Sequence, residues 1–123
     1  MQKSGNKIIF IVIIAFFLLN CKKEKRNECN VNDPLTELSW MKELKKQVDD
    51  NCNSCEVSII QAIYDDRTVY YTSVTDPLCN SIFGVALLNC DGQLIKNYND
   101  ANKDDFYSQV SDRKKLYSCK ARN

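Results

Sequence analysis

Apolar residues in this chain fall into one unbroken run and then into two kinds of periodicity. The run, Ile8 to Leu19, is 12 residues long and follows Lys3 and Lys7. It is too short to cross a hydrocarbon core, which needs ~20 residues in a helix. From Cys21 to Asn32 almost every residue is charged or Asn, with no apolar period, which predicts a flexible tether. Order is expected from Asp33. Its carboxylate can accept from free helix amides, and Pro34 needs no donor at a first helical position, so a helix is predicted from Pro34 to Val48. Leu35, Leu38, Met41, Leu44 and Val48 recur at steps of three and four, forming one apolar face with Trp40 beside it. Glu37, Lys42, Glu43, Lys45 and Lys46 take the other side.

After a break from Asp49 to Ser54 the pattern shortens to that of strands. Glu56 to Tyr64 and Arg67 to Val74 are rich in β-branched and aromatic residues, and Asp65-Asp66 between them reads as a hairpin turn. Thr75 to Gly84 is a loop carrying Pro77 and Cys79. Val85 to Cys90 and Gln93 to Tyr98 then flank Asp91-Gly92, a two-residue hairpin signal. A short helix from Asp104 to Val110, with Phe106 and Val110 inward, and an edge strand from Lys114 to Lys120 complete the chain. The expected fold is α+β, one N-terminal helix packed on a four- to five-stranded antiparallel meander. Val57, Ile59, Ile63, Val69, Val85, Leu87 and Leu94 are assigned to an apolar face that the helix covers. No internal repeat interrupts this order.

Leu18-Leu19-Asn20-Cys21, after a positive start and a short apolar run, resembles the lipobox of bacterial lipoproteins, in which Leu and two small residues precede the cysteine. Asn20 departs from the usual Gly or Ala. The resemblance implies that residues 1–20 are a signal peptide, that Cys21 becomes the acylated N-terminus with palmitate-like chains, and that the chain is anchored in a membrane through it. Lys22 rather than Asp follows Cys21, so the resemblance implies the outer membrane, at its periplasmic face or the cell surface. Residues 21–32 would be the tether and 33–123 a single small domain.

Such a domain buries little surface and commonly requires a covalent staple when exported. Of seven cysteines, six remain after Cys21: Cys29, Cys52, Cys55, Cys79, Cys90 and Cys119, an even number in an oxidising compartment. If the first hairpin turns near Asp66 and Arg67, residues whose numbers add to about 133 face each other, close to the sum for Cys55 and Cys79. That pair is the preferred bridge. Cys90 with Cys119 would then fasten the last strand, leaving Cys29 with Cys52 across the first helix; Cys29 with Cys119 and Cys52 with Cys90 is the alternative. Loss of Lys3 and Lys7 with the signal takes the net charge from +1 to −1, which gives no electrostatic case for nucleic acid. The basic run Lys22-Lys23-Glu24-Lys25-Arg26 reads first as a solvated spacer, though beside an acylated cysteine it could touch anionic headgroups.

Cys52-Asn53-Ser54-Cys55 has the spacing of a thiol-disulfide exchange pair, but it follows a helix instead of opening one, which removes the dipole that would lower a thiol pKa. Structural cysteines are expected. Asp100, Asn102 and Asp104 alternate as in a calcium loop, yet Asp105 stands where Gly is needed and Ser111 where Glu should close the site; a solvated turn is expected and no metal. The chain has no histidine, which removes Ser-His-Asp and Cys-His catalysis, His-ligated zinc and c-type haem attachment. Three glycines leave no phosphate-cradling loop, so neither an enzyme nor a cofactor is expected. Tyr64, Tyr70, Tyr71, Phe83, Tyr98, Phe106, Tyr107 and Tyr117 are assigned mostly to packing, with part of them available to a protein or glycan partner.

Pro34-Leu35-x-x-Leu38-x-Trp40-Met41-Lys42-Glu43, Ile59-x-Gln61-Ala62-x-Tyr64, Thr68-Val69-Tyr70-Tyr71 and Cys90-Asp91-Gly92 together resemble a group of small lipoproteins of Bacteroidota-type bacteria. The resemblance runs from about Asp33 to Tyr98 and implies localisation and fold; it brings no activity to any residue. The expected function is a non-catalytic, lipid-anchored binding or structural module of the cell envelope. The alternatives are thiol-disulfide exchange through Cys52 and Cys55, and inhibition of a secreted hydrolase.

Overall fold

A computed structural model describes residues 29–120, so Cys21, the apolar run before it and the basic run after it lie outside the described residues. Helix α1 (Pro34–Glu37) starts where the sequence places it: Asp33 Oδ1 accepts from the Leu35 amide at 3.2 Å, and the Glu37 carboxylate accepts from the Asp33 amide at 2.5 Å. The single expected helix is two. Leu38 takes an extended backbone (φ −88°, ψ 116°), and helix α2 (Ser39–Asn51) begins after it. The apolar stripe survives the break, because Leu35, Leu38, Met41, Leu44 and Val48 all join one core cluster.

Five strands follow: β1 (Val57–Tyr64), β2 (Arg67–Val74), β3 (Gly84–Leu88), β4 (Leu94–Asn99) and β5 (Val110–Ser118), with helix α3 (Lys103–Gln109) between the last two. They form one antiparallel sheet in the order β4-β3-β2-β1-β5. The meander holds for the first four, and β5 returns to the free edge of β1. β1 and β2 pair without interruption from Val57 opposite Val74 to Tyr64 opposite Arg67. Their connection, Asp65 and Asp66, has φ of 50° and 58°, the left-handed pair that matches the twist of a two-residue hairpin.

The second hairpin differs from the two-residue expectation. Asn89 donates to the Gln93 carbonyl at 2.9 Å and the Gly92 amide donates to the Asn89 carbonyl at 3.0 Å, so the loop is Cys90-Asp91-Gly92 with Gly92 left-handed (φ 77°). The last strand begins at Val110, directly from α3, and not at Lys114. Ser111 to Lys115 are all exposed, so a polar edge strand hid behind composition; pairing with β1 holds it, with two register shifts and Asp112 at φ 51°. Its exposed charges also discourage pairing with another sheet edge.

The sheet is apolar on both faces, whereas the sequence reading put its strand residues on one. Ile59 and Tyr70 face α2 with Met41, Val48, Cys52 and Cys119. Ala62, Val69, Tyr71, Val85 and Leu87 face the opposite way and pack with Tyr98, Phe106 of α3 and Val110. Leu94 is 55% exposed and belongs to neither.

Candidate functional site

All six cysteines of the described chain are in disulfides: Cys29–Cys90, Cys52–Cys119 and Cys55–Cys79. The expected pairs Cys90 with Cys119 and Cys29 with Cys52 are not formed, nor is the alternative set. The cause is the placement of β5. Lying beside β1, it brings Cys119, whose amide donates to the Val57 carbonyl at 3.0 Å, to the start of β1 where α2 ends at Cys52. The β3–β4 turn lies instead over Trp40 at the start of α2, where Cys29 enters the core cluster. The tether expected to reach Asn32 is therefore attached at Cys29, which also accepts a hydrogen bond from the Tyr70 hydroxyl at 3.4 Å.

Cys55 joins Cys79 for a different reason from the one expected. The observed register sets Val57 opposite Val74, and Thr75 extends it by donating to the Glu56 carbonyl at 3.0 Å, so Asp76 rather than Cys79 stands opposite Cys55. A turn then carries Cys79 back: its amide donates to the Asp76 carbonyl at 3.2 Å while Asp76 Oδ1 caps Leu78 at 2.9 Å. Cys52 and Cys55 thus bond to different partners, and Cys52 is 3% exposed.

The calcium-like run has another use. Asn99 and Asn102 form reciprocal caps at the start of a 3-10 turn (Asp100–Asn102), with Asn102 Oδ1 accepting from the Asn99 amide at 2.6 Å. At the start of β1, a half-buried hydroxyl chain links β1, β5 and the residue after β2: Ser58 bonds Ser118 at 2.6 Å and Thr75 at 2.7 Å, and Thr75 donates to Glu56 at 2.9 Å. The Thr75 hydroxyl is the main reason that the Glu56 carboxyl is held below its usual range.

The aromatic residues gather around Phe106. Tyr71, Phe83 and Tyr98 each stand 5.4 Å from it edge to face, and Tyr107 stands at 5.3 Å. Burial pushes the Tyr98 phenol up to about 12 and raises that of Tyr71, which the Arg113 guanidinium partly offsets. Both phenols stay neutral at physiological pH, and that of Tyr98 donates to Gln109 Oε1 at 2.7 Å. This cluster floors a cleft of about 390 Å³ at the open end of β2 and β3. Those strands share a single registered pair, Tyr70 with Leu88. Beyond it the cleft is bordered by Ser73, Ile82 and Phe83, with Lys103 Nζ 5.3 Å above the Phe83 ring and the Arg113 guanidinium 5.0 Å from Phe106 and 5.3 Å from Tyr107. Among the described residues no carboxylate lines it. Aromatic faces, two cations and main-chain groups make a surface suited to holding an elongated ligand. Phe83, Phe106 and Tyr107 were visible in the sequence as candidates; Lys103 and Arg113 were not, because each sits in a polar run that reads as solvated.

No protein-family model, curated protein or solved structure matches this chain. Its fold class, α+β with a five-stranded antiparallel sheet stapled by three disulfides, rests on the geometry alone.

Proposed function

We propose that this chain is a lipoprotein of the bacterial envelope, acylated at Cys21 and placed at the outer membrane, whose stapled domain is a non-catalytic binding module for a protein partner. The observation that carries the reading is the closure of all six cysteines after Leu18-Leu19-Asn20-Cys21 into three disulfides, a state typical of an exported small domain. The cleft beside Phe106 supports the binding half of the proposal, because preorganised aromatic and arginine side chains contribute most of the energy at protein contacts. The bonding of Cys52 and Cys55 to separate partners weighs against a thiol-exchange role for that pair.

A second reading, inhibition of a secreted hydrolase, draws on Leu78, 92% exposed beside Cys79 on a loop tied down by the Cys55–Cys79 bridge. A rigid loop with an apolar tip loses little entropy when it docks. The main reading is tested by the intact mass of the natural protein, with and without reduction, after trapping free thiols. A diacyl or triacyl adduct on Cys21 with no trappable thiol is expected; an unmodified N-terminus sinks the lipoprotein reading, and a tight 1:1 protease or glycosidase complex would favour the second.

A further inference from the structure

The cleft beside Phe106 joins an apolar floor to a rim of one charge. Tyr71, Phe83 and Tyr98 hold the Phe106 ring edge to face, so the floor is fixed before any ligand arrives. Tyr107, 55% exposed, and Ile82, 89% exposed, continue that apolar surface outward. Lys103 and Arg113, both exposed, stand over these rings from α3 and β5. The ring quadrupole attracts a cation without neutralising it, so both keep their charge for a second partner. Asp104, Asp105 and Asp112, their neighbours in the chain, are not among the lining residues. Position adds a further constraint. The cleft lies where β2 ends at Val74 and β3 begins at Gly84, whereas Cys29 is bonded to Cys90 beyond the other end of β3. The five residues of β3 set the two about 15 Å apart along the strand, so the cleft opens away from the point where the segment carrying Cys21 joins the domain.

From this geometry we infer that the cleft binds the C-terminal residue of a partner protein whose chain ends in a large apolar side chain. That side chain lies on the surface of Phe83, Phe106 and Tyr107, and the terminal carboxylate faces the rim of Lys103 and Arg113. A chain end of this kind is the peptide group that carries an apolar body and a carboxylate on one Cα, and capture of such ends is a recurring mode of peptide recognition. An internal Asp or Glu brings the charge without the apolar body. The volume, about 390 Å³, is near the small end of ligand sites and suits the last residues of a chain. The basic segments Lys22 to Arg26 and Lys120 to Arg122 of this chain are excluded by the same charge argument. The inference deepens the binding-module reading and rests on it.

The test uses isotope-labelled full chain in detergent micelles and short peptides of Gly and Ser that carry Leu-Phe. One ends in Leu-Phe with a free carboxylate, a second is the same peptide amidated at its C-terminus, and a third carries Leu-Phe centrally and ends in a free Gly. The first should shift the NMR signals of Ser81, Phe83 and Tyr107 and bind about fivefold to tenfold more tightly than either of the others, the gain expected of exposed charge pairs. That gain should shrink at high salt. Lys103→Gln with Arg113→Gln should bring the free acid down to the level of the amide and leave the amide's own affinity little changed. If the double variant does not fold, the comparison of acid with amide on the unaltered chain still decides. Equal binding of acid and amide, or no shift at the cleft with any of the three peptides, overturns the inference. Equal affinity for 3-phenylpropionate would make the cleft a site for free acids, and tighter binding of an oligouronate at the same signals would make it a glycan surface; either overturns it. Shifts at the cleft on self-association alone would make the occupant a second copy and overturn it too. A partner protein held at another surface, with these signals unmoved, would end the inference and leave the binding-module reading standing.

Discussion

Gly92→Ala isolates the contact that seats the β3–β4 turn on α2. Two independent costs follow from the geometry. Gly92 sits at φ 77°, where a Cβ meets its own backbone at about 1–2 kcal/mol. That Cβ would also stand 2.7 Å from Trp40 Cδ2 and 2.9 Å from Cγ, well inside the ~3.5–4.0 Å of carbon contact. The indole cannot easily yield: its Nε1 donates to the Cys90 carbonyl at 2.7 Å, its ring stands edge-on to Tyr70 at 5.6 Å, and Cys90 is bonded to Cys29. Forced overpacking of this kind costs about 1–3 kcal/mol. The two together give about 3 kcal/mol, or a fall of roughly 12–24 °C in Tm for a domain of this size.

Circular-dichroism melts of the oxidised protein measure that fall, and a double-mutant cycle with Trp40→Ala separates its parts. With the indole removed, Gly92→Ala should retain only the backbone cost of about 1–2 kcal/mol. A Tm within a few degrees of the parent, or an equal loss in both backgrounds, would refute the claimed contact between the turn and the helix.

Asp66→Gly should stabilise by about 0.5–1 kcal/mol, because Asp66 holds φ 58° in a turn that favours Gly at its second position; a lower Tm would count against the turn assignment. Tyr98 carries the alkaline prediction. Its folded pKa is raised to about 12, so its contribution is fully present below the unfolded value near 10 and is lost as pH rises toward about 12. Phenolate absorbance should show one late tyrosine that Tyr98→Phe removes, and melts from pH 9 to 12 should decline less steeply in that variant. Chain entropy ranks the bridges. Replacing Cys55 and Cys79 by Ala, which opens a span of 24 residues, should cost about 3.5 kcal/mol in urea unfolding, and replacing Cys52 and Cys119, a span of 67, about 4.4 kcal/mol plus a cavity term because both are buried. The reverse order would exclude the entropic account.

Local signals in the sequence carried far. Asp33-Pro34 opened a helix, the stripe from Leu35 to Val48 reached one core, and Asp65-Asp66 turned the first hairpin. What they did not carry was the destination of β5. Ser111 to Lys115 is polar on both sides, so its strand character comes from pairing with β1, a long-range contact no local pattern reports. That one placement decided two disulfides: with β5 at the edge of β1, Cys119 meets Cys52, and Cys90 is left for Cys29. The preferred bridge, Cys55 to Cys79, formed in a register different from the one assumed, through a turn at Asp76 that compensates. The cleft was illegible for a related reason, since a strand pair that stops after one rung leaves no mark on either strand's composition.

The β3–β4 hairpin is fastened to the rest of the sheet by side chains more than by main-chain pairing. With one registered pair to β2, main-chain hydrogen bonds cannot be what holds it. Its tip is moored by the Cys29–Cys90 bridge, by the Trp40 indole on the Cys90 carbonyl and by Gly92 lying flat against that ring. Its body is moored on the opposite face, where Val85, Leu87 and Tyr98 pack with Phe106. Side chains and sulfur on two faces thus replace most of the ladder to β2. Loosening the tip acts on one mooring alone, so Gly92→Ala should lower stability while the packing of Val85, Leu87 and Tyr98 against Phe106 is kept.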